Sequence, residues 1–191
     1  PRSAAIVEDG GVYISNYIIM NPVKIVQSYP TVHLNGDYST AIMSSVIVAM
    51  DNSIVDTGSR VIIKGKGSSA EILSRAISKG GTIYSRGDIV GDSPDAKGHL
   101  ECMGMMLSEQ GSIIAIPELE AKHPNVDLSH EAAIGKIAEE EIFYLMSRGF
   151  TREEATAAIV RGFLDIEIKG LPSALKKKID EAINLVEKEL I

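Results

Sequence analysis

Short runs of β-forming residues follow one another over the first 117 residues, separated by breaks that contain Gly, Asn or Asp. The predicted strands cover residues 12–19, 24–27, 31–34, 41–50, 60–63, 70–73, 82–84, 100–107 and 112–116. No amphipathic helix of about ten residues or more lies between them, although the parallel strands of an α/β sheet require such crossovers. This half of the chain is therefore predicted to be all-β.

Two all-β architectures are compatible with this spacing. An antiparallel sandwich has turns every 8–12 residues or so, as found here. A β-solenoid stacks similar short strands, turn upon turn, with small residues at its corners. Predicted strand starts near residues 61, 71, 82, 100 and 112 step by roughly 10 to 18 residues, which is too loose a repeat to decide. The pattern alone leaves both architectures open.

The composition limits the core and the partners. Hydrophobic residues make up 45% of the chain but aromatic residues only 5%, so the core must be built from aliphatic side chains. The net charge of -7 argues against nucleic acid as a partner, because phosphate binding needs a basic face. One cysteine cannot form an internal disulfide, and no signal peptide or apolar run of about 20 residues is present. We therefore expect a cytoplasmic protein without a membrane partner.

The second half of the chain changes to a helical period. Residues 139–148 carry an apolar stripe and are followed by Gly149, which suits the end of a helix. Thr151 and Glu154 form a predicted capping box at the start of a second helix, over residues 152–164. A third amphipathic helix is predicted from Pro172 to about residue 190. We predict a β body over residues 1–117, and a linker with a three-helix region over residues 118–191.

Three residues are candidates for chemistry. Cys102 lies in a predicted strand, on the same face as Leu100, and is either a small buried hydrophobe or a thiolate ligand. His130 and Glu131 precede the first helix, where they serve either local capping or ligation. The standard zinc spacings are absent, and His33, His99 and His123 are expected at the surface or in turns. Neither a P-loop nor a nucleophile elbow is present.

Residues 129–163 read SHEAAIGKIAEEEIFYLMSRGFTREEATAAIVRGF. This segment resembles the signature SHEA/SHGA–GxI–EEExxFYLxSRG–xxxEAxxxIxxGF of the SufB/SufD family, the scaffold proteins of the SUF iron–sulfur cluster assembly system. The resemblance implies a right-handed parallel β-helix followed by a small C-terminal helical domain. It also implies that Cys102 matches a functional cysteine of SufB-type members, and that His130 and Glu131 match a His-Glu pair linked to cluster assembly. SufD-type members lack that cysteine and usually have SHGA.

The function implied by the resemblance is that of a scaffold rather than an enzyme. Sulfur and iron would be accepted at a metal site of Cys102, His130 and Glu131, which would hold a transient iron–sulfur cluster. The expected partners are a SufC-type ABC ATPase, bound by the C-terminal helices, and a second scaffold subunit in a homodimer or a SufB/SufD-type heterodimer.

Two alternatives to this scaffold role are compatible with the fold class. The first is a SufD-like interaction subunit that binds the ATPase and a partner scaffold without holding a cluster. The second is a β-helix enzyme, and the absence of clustered catalytic Asp residues in the sequence argues against it. A second β-helix cysteine and a long N-terminal region, both typical of SufB-type members, do not occur in these 191 residues, as expected of a fragment or a shorter homologue. The access of sulfur and the flavin role associated with the family's complexes are therefore left open.

Overall fold

The structure, a computed structural model, describes residues 2–164 and Lys177. It forms a parallel β-solenoid of about five turns, followed by two helices. The strands are β1 (Ala4–Val7), β2 (Val12–Ile19), β3 (Ile25–Ser28), β4 (Thr31–Leu34), β5 (Thr40–Met50), β6 (Ile54–Ile63), β7 (Ser69–Lys79), β8 (Thr82–Gly91), β9 (Lys97–Met106), β10 (Ser112–Ala121) and β11 (Asp127–Lys136). The helices are α1 (Glu139–Ser147) and α2 (Arg152–Leu164).

The strands belong to two sheets, which form two sides of the solenoid. Sheet 1 has the order β1-β4-β6-β8-β10, with β3 also paired to β6, and sheet 2 has the order β2-β5-β7-β9-β11. Every pairing between the described strands is parallel, and register partners such as Ala4 with Thr31, or Lys97 with Asp127, belong to successive turns. Strands of one turn therefore stack on those of the next without helical crossovers. The β-helix prediction is confirmed, and the antiparallel sandwich is excluded.

The strands extend further along the chain than the sequence pattern indicated. β10 runs past residue 117, and β11 occupies a stretch that was predicted to be linker. Apart from Leu128 and Ile134, the residues of β11 are polar or small, and all of them but Leu128 are exposed, so the strand does not alternate as a half-buried strand would. Pairing with β9 along the whole length of both strands is what makes this stretch a strand. The strand-bearing part of the chain therefore reaches Lys136.

The corner before β5 and β7 brings successive turns into close contact through glycine. The carbonyl oxygen of Gly36 accepts hydrogen bonds from Ser39 Oγ at 2.7 Å and from Ser68 Oγ at 3.0 Å, so one acceptor joins two turns. A Cβ atom on Gly65 would lie 1.8 Å from the same carbonyl oxygen. Because real Cβ atoms do not approach this closely, the stacking at this corner requires glycine.

Helix α2 packs on the outer face of sheet 2, and α1 contacts α2. Val160 and Leu164 of α2 join a buried cluster with residues of sheet 2 that include Ile77 and Met105. The predicted capping box is present: Glu154 N donates to Thr151 Oγ1 at 3.1 Å, and Thr151 N donates to a Glu154 carboxylate oxygen at 2.8 Å. None of the described helices is long and apolar enough to cross a membrane. The predicted third helix lies outside the described residues, apart from Lys177.

The buried carboxyl of Asp88, on sheet 1, makes the stability of the fold depend on pH. Asp88 is only 7% exposed and stands in register with Arg60 and Glu118, and its Oδ2 lies 3.0 Å from Arg60 Nε. Burial raises the pKa of Asp88 above its usual 3.8; Arg60 opposes this shift, whereas Glu118 and Glu120 add to it. The folded protein therefore binds this proton more tightly than the unfolded chain does.

We expect Asp88→Asn to gain stability relative to the wild type as the pH rises. Because the folded-state pKa is raised, the wild-type carboxyl destabilises the fold increasingly from about pH 4 upward, whereas the amide does not titrate. Urea unfolding of both proteins at about pH 3.5 and about pH 7 measures this change. The raised pKa of Asp88 would be contradicted if the stability difference between the two proteins were the same at both pH values. It would also be contradicted if the higher pH favoured the wild type.

Candidate functional site

The Cys102 thiol lies inside the solenoid. Cys102 is 2% exposed, stands on β9 between Ser74 of β7 and Ala132 of β11, and belongs to the main core cluster. Its Sγ lies 3.9 Å from Ser85 Oγ, on the opposite sheet. Burial raises the pKa of the thiol, the Ser85 hydrogen bond lowers it, and the Glu101 charge raises it. The net shift is upward, so the thiol is protonated at neutral pH.

A cavity with several hydroxyl-bearing residues in its lining lies in the solenoid next to this thiol. The cavity has a volume of about 190 Å³, and its lining includes Tyr13, Ser45, Thr57 and Ser74. Ser74 Oγ is 3.0 Å from Ser85 Oγ, which in turn contacts Cys102 Sγ. A series of hydroxyl groups therefore connects the cavity to the thiol. No motif in the sequence marks this lining, because the hydroxyl residues are distributed over strands that meet only when the turns stack.

His130 lies on the same face of sheet 2 as Cys102. It stands in register with Leu100, whose side chain is fully buried in the interior. Because neighbouring strands in a sheet share their facing, His130 points to the interior side, one strand beyond Cys102 and two residues displaced. From strand spacing, the two Cα atoms are roughly 8 Å apart. His130 is nevertheless exposed, since no strand among the described residues stacks on β11.

Glu131 lies on the opposite, outer face of sheet 2, in register with Glu101. Its carboxylate, the carboxylate of Glu101 and a ring nitrogen of His99 all lie within 4.8 Å of one another. His99 Nδ1 is 2.8 Å from Ser129 Oγ, and Glu101 forms an ion pair with Arg75. The strand therefore separates the predicted residues, with Cys102 and His130 on one face and Glu131 on the other. That the three share one metal ion stays a prediction.

His99 and Glu101 had no place in the sequence-based site. His99 was expected at the surface or in a turn, and it lies half-buried within β9 on the outer face of sheet 2. The signal that would have identified both residues is their register, since they stand directly opposite Ser129 and Glu131 across one turn of the solenoid. That register becomes visible only when the number of residues per turn is known.

The last described turn of the solenoid presents an open, partly apolar end. β10 and β11 are the end strands of their sheets in the described part of the chain. Ile114, Leu119 and Ile134 on these strands are 37%, 38% and 42% exposed. Nearby in the chain, α1 exposes Phe143 and Tyr144. Apolar side chains are therefore exposed on the strands where the described part of the solenoid ends.

Comparison with known proteins identifies the family. A family model described as "SUF system FeS cluster assembly, SufBD core domain" matches residues 2–163. An "Iron-sulfur cluster assembly SufBD family protein" from Archaeoglobus fulgidus is 63% identical over 191 residues, which is 100% of this chain and 52% of that protein. A protein with the same description from Methanothermobacter thermautotrophicus is 50% identical over 186 residues, covering 97% of this chain and 45% of that protein.

A more distant relative extends the same comparison. A protein with the same description from Staphylococcus epidermidis is 38% identical over 153 residues, covering 78% of this chain and 33% of that protein. The chain thus spans about half the length, or less, of these curated relatives. The family match covers both sheets of the solenoid, the buried thiol and nearly all of α2. The chain belongs to the SufBD family of iron–sulfur cluster assembly proteins.

Proposed function

We propose that this protein is a scaffold on which iron–sulfur clusters are assembled, with Cys102 as the residue that accepts sulfur or binds iron. The observation that carries the proposal is the position of the thiol, inside the solenoid, linked by hydroxyls to a cavity and one strand from an open end. The cluster is the product under assembly and not a resident cofactor. The reaction requires a reducing compartment, which we infer to be the cytoplasm, because the thiol must remain unoxidised.

Sulfur transfer to Cys102 is balanced without an external oxidant. The Cys102 thiolate attacks the outer sulfur of a persulfide donor, a new S–S bond forms at Cys102, and the donor leaves as a thiolate. The thiolate must first form, which the raised pKa opposes in the closed interior. Ser85 and Ser74 supply hydroxyl groups that can donate hydrogen bonds to a charged sulfur along this path.

Iron binding at this thiol needs further ligands. His130 faces the same side as Cys102 and offers an imidazole, a suitable ligand for iron. Glu131 stands on the other face of the same edge strand, so it would join Cys102 and His130 only if the last turn rearranged. These residues do not complete the ligand set of a cluster, which is normally held by four protein ligands. We infer that a second scaffold subunit, identical or related, supplies the remainder at the open end.

We further propose that the C-terminal helices bind an ABC-type ATPase. Phe143, Tyr144 and Phe150 are 57%, 59% and 43% exposed on and directly after α1. Aromatic side chains contribute strongly to protein–protein affinity when they are buried by a partner. The same helices pack on sheet 2 through α2, so a partner bound to them would be mechanically connected to the strands that carry Cys102 and Glu131.

Co-purification with measured iron and sulfide tests the proposal and separates it from its alternative. The full-length protein is expressed with the ATPase of the same organism and purified anaerobically. A scaffold is expected to retain the ATPase and to carry iron and sulfide in comparable amounts. A SufD-like interaction subunit would retain the ATPase but carry negligible iron. A protein that neither retains the ATPase nor loads iron would contradict both functions.

A further inference from the structure

Two glutamates face each other directly on the outer side of sheet 2. Glu101 and Glu131 are register partners on neighbouring parallel strands, and Glu71 stands in register with His99 one strand earlier. Like charges placed directly opposite each other across strands are destabilising unless a cation lies between them. Arg75 pairs with Glu101, and the two side chains are 19% and 18% exposed. This arrangement concentrates negative charge at a half-buried position.

The donor atoms at this position have the chemistry and spacing of a metal site. One imidazole nitrogen and two carboxylate oxygens lie within 4.8 Å of one another, which a small inward adjustment of each side chain converts into shared coordination. His99 is oriented by Ser129 Oγ at 2.8 Å from its Nδ1, as metal-binding histidines usually are by a second polar group. Mixed imidazole and carboxylate donors suit divalent transition metals such as Fe²⁺ and Mn²⁺.

The site can be reached from solvent. An open groove of about 400 Å³ on the same face is lined by residues that include Glu71, His99, Asp127 and Ser129. A hydrated cation can approach along this groove, where the carboxylates of Glu71 and Asp127 outnumber the single ammonium group of Lys97. The interior cavity beside Cys102 has a different lining and lies on the other side of the sheet.

We propose that His99, Glu101 and Glu131 form a binding site for a divalent transition-metal cation on the outer face of sheet 2. When the cation is absent, Arg75 forms an ion pair with Glu101. Arg75 has a second partner to which it can turn, since its guanidinium carbon lies 5.9 Å from the centre of the Phe163 ring of α2. The bound cation therefore replaces Arg75 as the positive partner of Glu101, and Arg75 keeps its contact with the Phe163 ring of α2.

Titration of the full-length protein with Mn²⁺, followed by the loss of the free-ion electron paramagnetic resonance signal, tests this site. Glu131→Gln is expected to weaken Mn²⁺ binding at least about tenfold, and His99→Ala similarly. Glu131 is exposed, so its amide variant is expected to leave the fold intact. Arg75→Met is expected to strengthen binding, because the competing guanidinium is removed. Fe²⁺ added anaerobically is expected to displace the bound Mn²⁺.

Two control variants separate this site from other sources of binding. Glu118→Gln removes the same charge from sheet 1 and is expected to leave the Mn²⁺ affinity unchanged, as is Cys102→Ala. Equal Mn²⁺ affinity in the wild type and Glu131→Gln would overturn the site, and weaker binding by Arg75→Met would overturn the competition. Because Mn²⁺ is measured without sulfide, these outcomes are independent of whether Cys102 supports cluster assembly.

Discussion

Gly65→Ala is expected to lower the free energy of unfolding by about 3 kcal/mol or more. The added Cβ would lie 1.8 Å from the carbonyl oxygen of Gly36, an atom of the neighbouring turn's backbone that cannot move as a flexible side chain can. Accommodating the methyl group must separate the two turns at this corner. The separation would also lengthen the hydrogen bonds from Ser39 and Ser68 to the same oxygen.

Gly162→Ala is the matched control for this substitution. Gly162 lies exposed within α2, and a Cβ there would meet nothing within 4 Å. Alanine in a helix interior is more favourable than glycine by about 0.5–1 kcal/mol, so this variant is expected to be slightly more stable than the wild type. Urea unfolding followed by circular dichroism compares the three proteins. Equal stability of Gly65→Ala and the wild type would show that the turns are not stacked as described.

The Cys102 thiol is expected to react with iodoacetamide at least about 100-fold more slowly in the folded protein than in urea. The side chain is 2% exposed, and burial raises its thiol pKa above the ordinary value of 9.0. Both effects lower the rate of alkylation, because the reagent cannot reach the sulfur and little thiolate is present at neutral pH. Reaction therefore occurs during transient opening of the last turns.

Peptide-resolved mass spectrometry measures the extent of alkylation at this residue over time. The rate in the unfolded protein should rise with pH up to about pH 9 and then level off, as expected of an ordinary thiol. In the folded protein the rise should continue to higher pH, because the folded-state pKa is raised. Similar rates in folded and unfolded protein would contradict the interior position of Cys102.

Local signals in the sequence were sufficient for α1 and α2, the two helices in the described part of the chain. Thr151, Glu154 and Gly149 mark the end of one helix and the start of the next within a few residues, and α2 has its predicted bounds. Capping acts through neighbours in the chain, so it can be interpreted without knowledge of the fold. The strands are different, because their partners lie a whole turn of the solenoid away along the chain.

The candidate site shows why register matters more than residue type. Glu101 of β9 pairs with Glu131 of β11, so odd-numbered residues stand opposite odd-numbered ones and residues of the same parity share a face of sheet 2. Cys102 and His130 therefore face the interior, whereas Glu131 faces outward with His99 and Glu101. Alternation in the sequence placed Cys102 on the face of Leu100, but it could not assign faces to His130 and Glu131, because no strand was predicted there. Family resemblance likewise named the residues without their mutual geometry.

Anaerobic reconstitution of the full-length protein with Fe²⁺ and sulfide, comparing the wild type with Cys102→Ala, tests most directly whether cluster assembly depends on the interior thiol. Met103→Ala is the control, because it removes a sulfur-containing side chain from the neighbouring, outward position of β9. We expect the wild type and Met103→Ala to bind similar amounts of iron and sulfide. Cys102→Ala is expected to bind at most about one tenth of these amounts. Equal loading of Cys102→Ala and the wild type would contradict the role of Cys102.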